Sequence, residues 1–188
     1  MNLSSLNVVE KRDRVSRLKS CLRRYFLPVV LGCVAFGILS SCEEIDFDRV
    51  PPTNVRLSFD TQPEWNLYGT PGALDHKSFI LDGNYREPAN FPWTALTNTG
   101  YGGILLVGDI SGAPYAYDLA CPVELKRDVR LKIDEDANEA YCPKCGSRFA
   151  VYTNYGSPIS GEAKKLKRGL RRFNVGPGLN GEFMVVSR

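Results

Sequence analysis

The chain alternates in short runs. "VRLSF" (55–59), "VRLKI" (129–133) and "LRRFNV" (170–175) interleave apolar and polar residues as half-buried strands do. "SFIL" (78–81), "ILLV" (104–107), "YAYDL" (115–119), "RFAVY" (148–152) and "EFMVV" (182–186) are denser apolar runs of strand length. Gly, Pro, Asn or Asp separates most of them, and "DEDANE" (134–139) has the composition of a hairpin turn. No stretch of the body keeps a long 3.6-residue apolar period. The pattern predicts an all-β fold over residues 55–188, an antiparallel β-sandwich or barrel around one core.

The first 42 residues follow another rule. A basic region (Lys11, Arg12, Arg14, Arg17, Lys19, Arg23, Arg24) precedes the apolar run "YFLPVVLGCVAFGILSS". That run is short and Gly-interrupted for a membrane span, which takes roughly 20 apolar residues. It fits a secretory signal peptide over residues 1–41. "LSSC" (39–42) resembles a bacterial lipobox, with Cys42 as the lipidated residue; Cys33, in "VLGC", is the rival, and a plain N-terminal anchor helix the alternative. "RRYFL" (23–27) also resembles a twin-arginine export motif. Residues 42–54, acidic and then Pro-Pro, read as a lipidated tether. The expected location is the cell envelope, anchored to a bacterial membrane, facing the periplasm or the cell surface.

Charge and cysteine number change once that segment is set aside. Residues 1–42 hold seven of the 24 Lys/Arg and two of the 21 Asp/Glu, leaving 17 basic and 19 acidic residues in the body. A slightly acidic body argues against nucleic acid as a partner. Three of the six cysteines remain in the body: Cys121, Cys142 and Cys145. Three is not a disulfide framework. It suits a metal site, or one disulfide and a spare thiol. "KKLKRGLRR" (164–172) reads as a solvated loop and strand face with Leu166 and Leu170 inward, or as an anion patch. The aromatics of segment 82–106, among them Tyr85, Trp93 and Tyr101, read as cover for one end of the core, or as a carbohydrate or partner surface.

"YDLACPVELKRDVR" (117–130) and "YCPKCGSRFAVYTNYGSPISGEA" (141–163) place two Cys-Pro turns across a hairpin-sized segment. Together they resemble the Rieske iron–sulfur domain, with C-x-H on one loop, C-x-x-H on a second, then G-S-x-[YF] and a later Gly-rich turn. The matches are Cys121-Pro122, Cys142-Pro143, Gly146-Ser147-Arg148-Phe149 and "SGEA" (160–163). The resemblance implies a smaller cluster-loop subdomain over residues 118–163. It also implies that Ser147, outside the ligand set, hydrogen-bonds a sulfur of the cluster; an ordinary turn serine after glycine is the alternative. The departures fall on the ligands: Val123 and Cys145 stand where the two histidines belong, and the only histidine is His76. Glu124 is the nearest oxygen to the missing fourth ligand, with Asp118 and His76 more distant.

Three outcomes follow for Cys121, Cys142 and Cys145. The site holds no metal, two cysteines pair, and the fold serves a structural or interaction role. Or it holds an atypical [2Fe–2S] cluster with an oxygen or solvent ligand, an electron-transfer module for an oxidoreductase or envelope partner. Or it holds one zinc ion on three thiolates and a fourth ligand. No substrate-activating set assembles around one histidine, which points away from an isolated enzyme.

Overall fold

The computed structural model describes residues 44–179 and 181–187. The expected signal peptide and Cys42 lie outside the described residues. Among the described residues 37% are strand and 8% helix, and the fold is all-β. Eight strands form one antiparallel sheet: β1 (Val55–Phe59), β2 (His76–Asp82), β3 (Tyr85–Glu87), β4 (Asn98–Thr99), β5 (Ile104–Gly108), β6 (Pro114–Asp118), β11 (Arg172–Gly176) and β12 (Met184–Ser187). Their order is β3-β2-β5-β6-β11-β12-β1-β4. The sheet curls into a half-barrel. Its two ends approach, since Leu81 N–H of β2 donates to Thr99 Oγ1 of β4 at 3.1 Å.

A second sheet is inserted between β6 and β11. It consists of β7 (Lys132–Asp134), β8 (Glu139–Tyr141), β9 (Arg148–Ala150) and β10 (Ser157–Ser160), followed by the short helix α2 (Gly161–Lys165). Its order is β10-β9-β8-β7.

β5 explains how the two sheets share an interior. All five of its residues are buried. Ile104 and Leu106 point into the half-barrel with Leu57, Phe59, Phe79 and Phe91. Leu105 and Val107 point the other way, toward Phe149, Val151 and Leu170. A strand covered on both faces reads as a continuous apolar run, which is why "ILLV" does not alternate. The half-barrel core is aromatic, with edge-to-face pairs such as Phe59–Trp65 at 5.0 Å and Phe91–Trp93 at 5.0 Å.

Several elements differ from the sequence expectation. "VRLKI" was expected as one strand, but Val129–Leu131 serve the preceding loop: Cys121 N–H donates to Val129 O and Leu131 N–H to Leu119 O. Only Lys132–Asp134 remain to form β7, and the expected hairpin turn follows at 135–138. The last two strands each begin two residues later than their apolar runs. β3, β4, β8 and β10 are too short or too polar to show a period. Helix α1 (Gln62–Tyr68) was not expected; Thr61 caps it by accepting from Glu64 N–H, and Trp65 is its buried residue. Leu170 is buried as expected, whereas Leu166 faces outward at the C-cap of α2, where Ala163 takes the inward position.

Residues 46–50, expected as tether, lie on the domain. Asp46 N–H donates to Lys167 O and Gly169 N–H to Asp46 O. Val50 is buried. Arg171, 4% exposed, donates Nε–H to Val50 O and Nη2–H to Asp48 O, each at 2.6 Å, and meets Asp48 Oδ1 at 2.9 Å. A Cβ on Gly169 would stand 2.4 Å from the Phe47 ring, so only glycine fits. Among the described residues no helix is long and apolar enough to cross a membrane.

Candidate metal centre

The three cysteines arrive on two loops. The first follows β6 and carries Cys121; the second joins β8 to β9 and carries Cys142 and Cys145. Each is shaped by backbone bonds. Leu125 N–H returns to Cys121 O at 3.0 Å, and Gly146 N–H to Cys142 O at 2.9 Å. Cys142 N–H reaches Ser147 O at 2.9 Å, and Gly146 takes φ +67°, the left-handed turn. The start of α2 closes the site from a third side. Ala163 N–H donates to Ser147 Oγ at 3.0 Å. Gly161, at φ +77°, packs so close that an added Cβ would sit 2.7 Å from Ser147 Cα.

All three Sγ atoms lie within 4.8 Å of one another, with Cys121 and Cys145 at 3.6 Å. That exceeds the bond length of about 2.05 Å, and all three are free thiols. Cys121 and Cys142 are fully buried, and Cys145 is partly exposed. Burial pushes the Cys121 thiol up, while the N–H groups of Val123 and Glu124 donate to its sulfur and oppose that rise. Burial also raises Cys145, but the Ser147 hydroxyl, the Ser147 N–H and the two neighbouring thiols outweigh it and hold Cys145 below the ordinary thiol value. Ser147 Oγ is 3.3 Å from Cys145 Sγ.

The oxygen and nitrogen candidates for a fourth ligand go elsewhere. Glu124 Oε2 pairs with Lys144 Nζ at 2.7 Å, joining the two cysteine loops outside the sulfur cluster. Asp118 is buried and accepts from the N–H groups of Tyr101, Gly102 and Ala120. Its carboxyl is pushed up to about 6 by burial, against the pull of those three donors. His76 faces Glu135, at 3.9 Å. Among the described residues the metal-competent cluster is Cys121, Cys142 and Cys145 alone. The aromatics of 82–106 each have their own partner. Trp93 packs on Phe91 and Phe79, Tyr101 Oη donates to Leu125 O, and Tyr85 Oη donates to Glu87.

Sequence reasoning gathers the three sulfurs but misses the backbone donors around them, because any residue type supplies an N–H. It also misses Arg171, which lies in a basic run whose composition resembles a solvated face.

A two-iron cluster takes two ligands on each iron, and the three cysteines supply three of those four. Val123 offers no donor atom and Glu124 is committed to Lys144. The set also suits one tetrahedral ion. Three thiolates about 2.3 Å from a zinc ion stand about 3.8 Å apart, leaving a fourth position open. The 3.6 Å between Cys121 and Cys145 is near that spacing. In comparisons with known proteins, the sequence matches no family model and no curated protein.

Proposed function

We propose that this is an exported, lipid-anchored, Rieske-like β-domain whose three-cysteine site holds one thiophilic ion, zinc, in a structural or interaction role in the cell envelope. The observation that carries the reading is the set of three sulfurs within 4.8 Å of one another. Burial of two of them, and backbone N–H groups aimed at Cys121 and Cys145, support it. The resemblance in the cysteine loops and the insertion of a small sheet carrying the second of them support the Rieske-like part. When bound, the ion would cross-link the two loops, with solvent or a partner's side chain completing its four ligands. The chain supplies three thiolates and must release their protons, so affinity rises with pH.

The test is the metal content of the full chain, purified in detergent. One zinc per chain, no acid-labile sulfide and no visible absorption are expected, with zinc lost in Cys145→Ser. Iron with matching sulfide, or a folded protein that takes up no zinc on titration, overturns the reading.

A further inference from the structure

A second concave site lies away from the cysteines. A cleft of about 430 Å³ opens where the loop before β2 meets the β7–β8 turn, and none of the three cysteines lines it. Asp75 and His76 come from the half-barrel side; Glu135, Asn138 and Tyr152 come from the small-sheet side. His76 Nε2 and Glu135 Oε1 face each other across the gap at 3.9 Å.

Tyr152 separates this cleft from an ordinary surface groove. Its ring belongs to the interior, with the residue 3% exposed, while its hydroxyl makes no protein hydrogen bond among the described residues and stays open to the solvent of the cleft. Burial raises its pKa, and the carboxylates of Glu135 and Asp75, both cleft residues, add to the rise. The backbone is unusual at the same place. Leu74, a cleft residue, holds φ of +62°, a conformation that an apolar side chain keeps where the surroundings impose it.

The lining selects a chemical class. Asp75 and Glu135 only accept hydrogen bonds, Lys77 only donates, and the amide of Asn138 does both. Anions meet the two carboxylates, and cations meet Lys77 beside His76. Neutral hydroxyl groups satisfy all of these partners, because each both donates and accepts. Leu67 and Leu74 are 63% and 39% exposed at the cleft and offer an apolar wall for a C–H face. The volume lies in the small-molecule range of about 300–1,000 Å³. We propose that this cleft binds a neutral saccharide of one or two pyranose rings, with the Tyr152 hydroxyl, the Asp75 and Glu135 carboxylates and the Asn138 amide as its polar contacts. The proposal is independent of what the cysteines hold.

The test is saturation-transfer NMR on the full chain in a sugar-free detergent. The probes are glucose, galactose, mannose, N-acetylglucosamine, maltose and cellobiose, with putrescine and inorganic phosphate as charged controls. At least one saccharide is expected to receive saturation at its ring protons. Tyr152→Phe keeps the packing ring and removes one neutral hydrogen bond, so it weakens that binding about fivefold. Glu135→Gln, at an exposed position, weakens it as well, and circular dichroism confirms that both variants are folded. Absence of binding by every saccharide, binding of putrescine or phosphate in their place, or undiminished binding in both variants overturns the proposal.

Discussion

Ser147→Ala isolates the hydrogen bond that joins the second cysteine loop to α2. The Ser147 hydroxyl accepts from Ala163 N–H at 3.0 Å, and that pair is buried. Deleting the oxygen leaves the N–H with no partner, while Gly161 packed over Ser147 leaves little room for a bridging water. An orphaned buried donor costs about 1–3 kcal/mol. In a domain of this size that lowers Tm by roughly 2–12 °C. A second readout follows from Cys145 Sγ, 3.3 Å from the same oxygen. The thiol donates to Ser147 Oγ, and when the thiol ionises the hydroxyl proton turns to the sulfur. Without it, burial acts on Cys145 with one fewer opposing bond, so its titration midpoint rises. Thermal unfolding followed by circular dichroism gives the first quantity, and iodoacetamide reaction rate against pH in the metal-free protein gives the second. A Tm unchanged within a degree, together with an unmoved alkylation profile, would refute the assignment of Ser147 as the shared partner.

Further predictions concern the scaffold around the site. Gly161→Ala forces a side chain into φ +77° and into Ser147, and costs about 1–3 kcal/mol in urea unfolding while lowering zinc retention. Asp118 is raised to about 6 from 3.8, so the folded protein keeps a proton that the unfolded chain releases between about pH 4 and 6. Its contribution is fully present below pH 4 and is lost as pH rises through 6, about 3 kcal/mol in all; Asp118→Asn removes that slope from the stability profile. Arg171→Gln frees the Val50 and Asp48 carbonyls, costs about 1–3 kcal/mol, and speeds proteolysis within residues 44–54.

The sequence made the fold legible wherever a strand has one dry face or two. "VRLSF" coincides with β1, and "ILLV" and "YAYDL" overlap β5 and β6, because burial there is continuous along the strand. It failed where backbone groups serve a loop, as at Val129–Leu131, whose pairing with the Cys121 loop no side-chain period can announce. α1 carried a local signal, Thr61-x-x-Glu64 with Pro63, that its seven residues are too few to turn into a period. At the site, spacing and the Cys-Pro turns brought the three sulfurs together correctly. The fallback ligands were read by nearness in sequence, and Glu124 shows why that is insufficient: a lysine on the opposite loop holds its carboxylate. The docked segment 46–50 was hidden because its acceptors are carbonyls, invisible in composition, and its donor is a buried arginine.

β5 is a wall common to two rooms. Because its alternate side chains complete both interiors, the small sheet cannot swing away without uncovering Leu105 and Val107 on the strand that also carries Ile104 and Leu106 of the aromatic core. The domain therefore melts as one unit, with the amides of β5 among the last to exchange with solvent. The buried thiols of Cys121 and Cys142 share that fate, so their exposure reports on global opening and not on a local flap. A ligand that grips the sulfurs tightens the aromatic core on the far side of the strand by the same linkage.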